Sequence, residues 1–527
     1  MLKFRLTRLM IFSVFLYSCS AGGDRSTTPS YPAKYLEELT IAQLEKGYAE
    51  GKWTVKKIVS DYISRIEALD RSGPMLNSVI IINPDALKIA DSLDNAIASG
   101  KNKGSLFGVP VLLKDNIDTH DKMPNTAGSR ALAKNFPSND SPVARKLREA
   151  GAVILGKTNL SEWANFRSSS SSSGWSGVGR QTKNPYVLDR NPCGSSSGSG
   201  AAVSANLCMM AIGTETDGSI VCPSNNNGIV GLKPTVGLIS RAGIIPISFN
   251  QDTPGPMGRT VSDIAAALGC LTGVDSADAR TLASAGNFLK DYTSSLQPDG
   301  LKGKRLGLIK NEMGYSAKVD SLIMNAIYTM RKAGAEIVII DCPKANIGED
   351  SYNVLLYEFR EGINKYLASL PAILKIKNLK DLIEFNRKDS IELDYFDQKI
   401  FEQAYLKGDL KSKEYINALK KIRKATQEDG IDKYIRDYKL DCLLEPTGSP
   451  AWKTDLLLGD HFVGGSSSLA AIAGYPSLTV PAGFVNSLPV GISFTGKAWS
   501  EPLLIRIAYS FEQATKNRKA PEFKPTD

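Results

Sequence analysis

The sequence predicts an α/β fold: a single large domain with a central mixed β-sheet covered by helices on both faces. Apolar stripes with helical periodicity alternate along the chain with short β-branched runs, as in proteins whose helices pack on a sheet. The chain has 527 residues, 42% of them hydrophobic, and is long enough to bury a large core. It contains no repeat of fixed period.

The first predicted elements are a helix, a strand and a second helix. The folded part is predicted to start near Leu36. An apolar stripe from Val55 to Ile66 indicates a helix, and Thr54 precedes it as a plausible N-cap. "SVIIIN" at Ser78–Asn83 predicts a short buried strand, and Asp85–Ser99 predicts the next helix.

The next segments predict a strand with a polar tip and then a helix followed by a strand. Phe107–Asp118, "FGVPVLLKDNID", is apolar and β-branched before it becomes abruptly charged. Ser141–Leu160 has a helical pattern, a glycine stop and a strand pattern. The serine run Ser168–Ser173 indicates a loop, and Gly200–Met210 predicts a helix of small residues.

Between about residues 280 and 440, Lys and Glu become more frequent and long helical stretches appear. We interpret this region as a helical layer and peripheral insert on the same sheet, not as a separate domain. Strands are still predicted within it at Gly303–Lys310 and Gly334–Asp341. Asp441–Thr447 and Tyr475–Phe484 predict strands that return to the core.

Residues 1–18 predict a lipoprotein-type signal peptide. Three basic residues precede the apolar stretch Leu9–Tyr17, which is too short to span a bilayer as a mature helix. "LYSC" resembles the lipobox of bacterial lipoproteins, in which the cysteine, here Cys19, is acylated; an ordinary signal peptide cut elsewhere is the alternative. Residues 19–35 predict a flexible tether before the folded domain, residues 36–527. We therefore expect an exported bacterial lipoprotein, anchored in the membrane and facing the periplasm or the cell surface.

Charge and composition exclude several other functions. The net charge of +9 comes without a long Lys/Arg block or a basic run interleaved with aromatics, so the sequence does not predict nucleic-acid binding. His120 and His461 lie far apart, and no cysteines form a CxxC motif, so no metal site is predicted. An oxidising compartment would allow a disulfide among the six cysteines other than Cys19, but their spacing assigns none.

Two stretches rich in serine and glycine resemble the surroundings of a nucleophile. They contain Ser195 and Ser219, and a serine hydroxyl needs a base to attack a substrate. Neither histidine lies in a hydrolase-like context such as G-x-S-x-G. Lys114, at the end of a buried strand, can act as the base if burial lowers its pKa. The turn before Ser219 suits a backbone nest for an oxyanion, although each piece alone also fits an ordinary loop, strand end or turn.

In their order and spacing, these segments resemble the amidase signature family, the serine hydrolases with a Ser-cisSer-Lys triad. The resemblance runs from about Leu39 to Pro521. It implies that Lys114 is the base, Ser195 the cis-serine that relays protons, and Ser219 the nucleophile. It also implies an oxyanion hole formed by the N–H groups of Thr216, Asp217, Gly218 and Ser219, and no cofactor. The resemblance rests on "GVPVLLKDNIDT", "GAVILGKTNLSEWA", "NPCGSSSGSGAAVSA", "GTETDGSIVCPSNNNGIVGLKPTVGLISR", "DTPGPMGRTVSD" and "GYPSLTVPAG".

Departures from the broad family pattern refine this expectation. "CGSSSG" replaces the usual Gly-Gly-Ser-Ser-Gly-Gly, "ETDGS" replaces Asp-x-Gly-Gly-Ser, and Val221 stands where Arg is common. These variants resemble the peptide amidase branch, which releases ammonia from the C-terminal amide of peptides. One alternative is a fatty-acid or aryl amide hydrolase. Another is a protein like the glutamyl-tRNA amidotransferase A subunit of this family, which works in a cytoplasmic complex with tRNA. The last is a non-catalytic surface lipoprotein. We expect Glu358–Leu367 and Phe462–Pro476 to line the cleft; the sequence defines neither the acyl preference nor the oligomeric state.

Overall fold

An eleven-stranded mixed sheet organises the described part of the chain in the computed structural model, which comprises residues 31–101 and 104–526. The predicted signal peptide, Cys19 and most of the predicted tether lie outside these residues. The strand order is β1-β3-β2-β4-β6-β5-β10-β11-β9-β7-β8. The strands are β1 (Val79–Ile82), β2 (Pro110–Lys114), β3 (Val153–Thr158), β4 (Met210–Glu215), β5 (Val230–Lys233), β6 (Thr253–Gly258), β7 (Arg305–Ile309), β8 (Glu336–Ile340), β9 (Cys442–Pro446), β10 (Ser477–Val485) and β11 (Leu488–Thr495).

Helices connect and cover these strands. Their bounds are α1 (Ile41–Ala49), α2 (Val55–Arg65), α3 (Ala86–Ala98), α4 (Pro142–Glu149), α5 (Ser197–Ser204), α6 (Val221–Asn226), α7 (Val261–Leu271), α8 (Ala317–Lys332), α9 (Gly348–Ser369), α10 (Leu379–Lys388), α11 (Lys399–Tyr405), α12 (Lys413–Thr426), α13 (Asp432–Asp437), α14 (Ser467–Ala473) and α15 (Glu501–Thr515). Over the described ranges, none of these helices is both long and apolar enough to cross a bilayer.

The central strands are buried on both faces. Every residue of β2, β3 and β4 is buried, and successive side chains of a strand point to opposite faces. Both faces of the sheet are therefore covered at its centre, which confirms the predicted α/β class. β3 and β4 both pair with β2 in parallel, so the carboxyl ends of all three strands lie at one edge of the sheet. Lys114 is the last residue of β2 at this edge.

Local sequence signals account for most of the element bounds. The Thr54 hydroxyl accepts the N–H of Lys57 at 3.1 Å and caps α2, as predicted. The helix predicted over Gly200–Met210 is misplaced, because α5 ends at Ser204. Met210 instead begins β4, which pairs with β2 on one side and β6 on the other and so buries this apolar stretch within the sheet.

The helix-rich region between residues 280 and 440 belongs to the same sheet. β7 and β8 form one end of the sheet and pair in parallel, and β7 also pairs with β9. Helices α9 and α11 contribute Phe359 and Phe401 to an apolar cluster that also contains Trp163 and Phe166. The insert thus packs directly on the segment that precedes the serine run.

Candidate active site

Lys114 is fully buried and meets three oxygen atoms. Its Nζ lies 2.7 Å from the Ser195 hydroxyl, 2.9 Å from the Thr214 hydroxyl and 3.1 Å from the Thr214 carbonyl. A neutral amine has two N–H donors and one lone pair. It can therefore donate to both oxygens of Thr214 and accept the hydroxyl proton of Ser195.

The surroundings of Lys114 favour this neutral form. Burial lowers the pKa of the Lys114 amine from 10.5 to about 7, while the nearby carboxylates of Asp252 and Glu215 oppose the shift. Asn116 supports the arrangement, because its side-chain amide donates to the Thr214 hydroxyl at 3.0 Å. Near neutral pH a large share of Lys114 is consequently free to accept a proton.

Ser195 is held by the segment that leads into α5. The Gly194–Ser195 peptide bond is cis, as the family resemblance implies. The Ser195 carbonyl accepts the N–H of Ser161 at 3.1 Å. A Cβ atom at Gly194 would stand 2.1 Å from the Ser161 hydroxyl, so a larger residue here would displace that hydroxyl. The Ser195 hydroxyl is thereby fixed against the amine of Lys114.

Ser219 lies in the turn between β4 and α6. Its carbonyl accepts the N–H of Ser196 at 3.1 Å, which ties the two serine segments together. The Glu215 carboxylate accepts the N–H groups of Ile220 at 2.7 Å and Val221 at 3.0 Å and so holds the turn from within. Among the described residues, none forms a hydrogen bond with the Ser219 hydroxyl. The structure therefore shows directly the link from Lys114 to Ser195, but not a hydrogen bond from Ser195 to Ser219.

Four successive backbone N–H groups precede and include Ser219. Within the described part of the chain, the N–H groups of residues 216–219 have no acceptor, whereas the next two donate to Glu215. Gly218 has a φ of 80°, the left-handed conformation that lets successive N–H groups converge. A run of unpaired donors beside a serine can hold an oxyanion.

A disulfide that the spacing of the cysteines did not assign joins the two serine segments. Cys193 and Cys222 are 29 positions apart in sequence, and their Cα atoms lie 5.9 Å apart. Cys193 stands two residues before Ser195, and Cys222 three residues after Ser219. The bridge therefore limits how far the two hydroxyls can separate.

A cleft of about 500 Å³, termed the acyl cleft below, lies against both serine segments. The residues beside the two serines, Cys193, Gly194, Asp217 and Gly218, form its floor. Aromatic and aliphatic side chains share the walls with serines of the run Ser168–Ser173. The apolar members are Phe166, Val221, Tyr352, Ile400, Trp452, Leu458 and Phe462.

The charge of the acyl cleft has one sign. The carboxyl groups of Asp217 and Asp460 line it, and among the described residues no Lys, Arg or His does. Burial raises the pKa of the Asp460 carboxyl group, and hydrogen bonds from Ser173 oppose that shift. The cleft thus favours a neutral or cationic ligand over an anionic one.

Comparison of the sequence with known protein families agrees with this geometry. The sequence pattern of the family described as Amidase matches residues 57–505. The chain belongs to the amidase signature family. It is therefore a hydrolase that acts on amide C–N bonds.

Relatives of this amidase cover nearly its whole length. The crystal structure of native peptide amidase from Stenotrophomonas maltophilia has 47% sequence identity and a TM-score of 0.89, and the match covers 92% of this chain and 99% of that one. A probable amidase of Arabidopsis thaliana is 42% identical over 93% of this chain and 92% of its own length. A glutamyl-tRNA(Gln) amidotransferase component of Rippkaea orientalis is 33% identical over 92% of this chain and 100% of its own.

A second cavity, of about 570 Å³, lies beside the end of β4 in this amidase. Asn116, Thr214, Thr216 and Asp252 line it, and the Thr216 hydroxyl donates to Asp252 at 2.7 Å. The segment Glu358–Leu367 contributes to this cavity, so the expectation that it lines the acyl cleft is wrong; the same helix reaches the acyl cleft only at Tyr352.

The second segment expected at the cleft is placed correctly, because Phe462, Gly465, Ser467 and Ser468 line the acyl cleft.

Neither histidine of the amidase lines the acyl cleft or the second cavity. His120 and His461 are both exposed. His461 contacts Asp455 at 3.1 Å. In the residues that the structure describes, no group of three or more His, Cys, Asp or Glu side chains is arranged to hold a metal ion.

Proposed function

We propose that this amidase uses Lys114, Ser195 and Ser219 as a catalytic triad. Neutral Lys114 takes the hydroxyl proton of Ser195 while Ser195 takes that of Ser219. The Ser219 Oγ then attacks the amide carbonyl carbon, and the N–H groups of residues 216–219 hold the resulting oxyanion. The observation that carries the proposal is the 2.7 Å contact between the Lys114 amine and the Ser195 hydroxyl in fully buried surroundings.

The second half of the reaction returns the proton. As the tetrahedral intermediate collapses, the C–N bond breaks and the leaving nitrogen takes a proton from Lys114 through Ser195. Water then attacks the acyl ester of Ser219 and gives up its proton along the same relay. The carboxylic acid is released and Ser219 regains its hydroxyl proton.

The preferred substrate is the C-terminal amide of a peptide. The similarity to the Stenotrophomonas maltophilia peptide amidase supports this choice. The acyl cleft also supports it, because its serine hydroxyls can pair with peptide N–H and C=O groups. Asp217 and Asp460 favour a neutral amide end over a free carboxylate. The same charges promote release of the product, which carries a new carboxylate.

The charge of the cleft disfavours one alternative. Free glutamine is a small amide, and its α-carboxylate needs a cation in the site. No described Lys, Arg or His lines the acyl cleft to meet it. The similarity to the Rippkaea orientalis amidotransferase component nevertheless makes glutamine the natural comparison substrate.

The experiment is a substrate panel with ammonia detection. It compares peptide amides, the matching free peptides, glutamine and a fatty-acid amide, and follows anilide cleavage by aniline release. Ser219→Ala and Lys114→Ala should each lower turnover of peptide amides by at least about a thousandfold. Ser294→Ala, at an exposed serine, is the matched control and should keep full activity. Full turnover by Ser219→Ala would refute the mechanism, and faster release from glutamine than from peptide amides would refute the substrate.

We also propose that the protein is exported and anchored through Cys19. Beyond the lipobox-like "LYSC" of the sequence, the Cys193–Cys222 disulfide supports export, since disulfides persist in oxidising compartments. Labelled palmitate should enter the wild-type chain in bacterial cells, and the chain should fractionate with membranes. Cys19→Ser should abolish both results; a labelled Cys19→Ser variant would refute the anchor.

A further inference from the structure

The loop at the entrance of the acyl cleft, residues 455–463 and termed the mouth loop, exposes a cluster of apolar side chains. Leu457 is 81% exposed, Leu458 75%, Val463 68% and Phe462 51%. Leu458 and Phe462 also line the acyl cleft, so the cluster is continuous with it. Exposed apolar groups concentrated beside a cleft are typical of a binding surface.

The conformation of the mouth loop is fixed by two aspartates. The Asp455 carboxylate accepts the N–H groups of Leu457 and Leu458, each at 2.9 Å. The Asp460 carboxylate accepts the Ser173 N–H at 2.9 Å and the Trp452 indole N–H at 3.2 Å. The leucines are therefore presented to solvent by a braced loop, and little order must be gained when a ligand covers them.

Phe462 is also held in place. Its ring stands edge-on to Trp452 with the ring centroids 5.7 Å apart. A Cβ atom at Gly465 would lie 2.4 Å from the Phe462 ring, so only glycine leaves room for the ring in this position. The Phe462 ring is thus held in one position, partly exposed to solvent and in the wall of the acyl cleft.

The size of the cleft and the position of Leu458 and Phe462 in its wall bring a longer substrate towards this surface. A cavity of about 500 Å³ holds a ligand of drug size. With the amide carbonyl at Ser219, residues further towards the N-terminus of a peptide must leave through the mouth and pass Leu458 and Phe462. Extended peptide advances about 3.3–3.6 Å per residue, so each added residue carries the chain further outward along these walls.

We propose that Leu457, Leu458 and Phe462 bind apolar side chains of the substrate upstream of the residue whose amide is cleaved. The inference rests on the proposed function of the site as a peptide amide hydrolase. Because Asp217 and Asp460 line the cleft, acidic side chains near the amidated end are disfavoured. The substrate class is therefore amidated peptides with apolar residues and no acidic residues close to the amide.

The test compares substrates that differ only upstream. N-acetyl-alanine amide is the short substrate, and three N-acetyl tetrapeptide amides end in the same residue. Their two preceding residues are leucine, serine or aspartate. For the wild-type protein we expect kcat/KM to be about tenfold higher with leucine than with serine, and lowest with aspartate.

A pair of variants assigns that preference to the mouth loop. Leu457→Ser/Leu458→Ser changes two exposed side chains, and Leu282→Ser, at a leucine that is 62% exposed and lines neither cavity, is the matched control. The double variant should lose the preference for leucine over serine, and its kcat/KM should fall much less on the short amide than on the leucine substrate. The control should behave as the wild type on all four substrates.

The outcomes separate this inference from the proposed function. If the wild-type protein hydrolyses none of the amides, including the short one, the proposed function is refuted. An equal loss on the short and long substrates, or an unchanged preference in the double variant, refutes the role of the mouth loop. A third outcome also overturns the proposal. In it the wild-type protein shows no preference among the peptides but sediments with phosphatidylcholine–phosphatidylglycerol vesicles, and the double variant no longer sediments with them. The surface would then be a membrane contact.

Discussion

The rate of amide hydrolysis should fall as the pH is lowered, and the pH–rate profile should have one acidic limb with its midpoint near pH 7. With a pKa of about 7, about half of Lys114 is neutral at pH 7. With the ordinary pKa of 10.5, about three molecules in ten thousand would be neutral. Burial thus supplies about a thousandfold more base, and below about pH 6 the rate should fall about tenfold per pH unit.

The assay is the initial rate of ammonia release from an N-acetyl dipeptide amide between pH 5 and 9 at constant ionic strength. Activity recovered on return to pH 8 checks that the protein stays folded at the acidic end. A flat profile from pH 5 to 8 would contradict the prediction. A rate that still rises about tenfold per pH unit up to pH 9 would show a lysine whose pKa burial has not lowered.

Asp252 supplies the control for this assignment. Burial raises the pKa of its carboxyl group to about 6, so it titrates close to the expected limb. Its negative charge favours the ammonium form of Lys114. Asp252→Asn should therefore shift the limb to lower pH if Lys114 is the titrating group. Loss of the limb in this variant would assign it to Asp252 and refute the reasoning.

Three further predictions concern the disulfide, a buried glutamate and metal independence. The Cys193–Cys222 disulfide joins positions 29 residues apart, and Cys193→Ser/Cys222→Ser should lower the free energy of unfolding by about 3 to 4 kcal/mol in urea titrations. Cys270→Ser, at a free cysteine, is the control, and an unchanged midpoint in the double variant would contradict the prediction. Burial raises the pKa of Glu445 from 4.5 to about 8, so the native state keeps a proton that the unfolded chain loses and stability falls between these pH values. Glu445→Gln should remove that fall, so its stability relative to the wild type should rise by about 1.4 kcal/mol per pH unit between pH 5 and 8 in urea titrations; parallel curves would refute it. Dialysis against EDTA should leave ammonia release unchanged, and a loss restored by zinc would contradict the metal-free mechanism.

Strong local periodicity made much of the fold predictable. The stripe after Thr54, the apolar run in β2 and the glycine stop between α4 and β3 each specify one element without help from distant residues. β6 escaped prediction because its sequence, "TPGPMG", has two prolines. It pairs with β4 along its whole length but with β5 only at Met257 and Gly258, so the prolines face a stretch without a second partner strand.

The site was only partly open to sequence reasoning. The types and order of Lys114, Ser195 and Ser219 suggested a serine site with a lysine base, and the structure brings the first two into contact. The partner of Cys193 was not predictable, because the pairing depends on how two loops meet across the sheet edge. The serine run gave no sign that its members line the acyl cleft, since serine-rich loops are usually only flexible.

The distribution of these groups along the chain has an evolutionary consequence. The reactive groups lie between Lys114 and Ser219, whereas much of the cleft wall comes from Tyr352, Ile400 and the mouth loop. Insertions or drift in the later segments can alter which acyl groups enter and leave the hydrolytic machinery intact. Enzymes with this architecture can change their range of amide substrates while they keep the same catalytic mechanism.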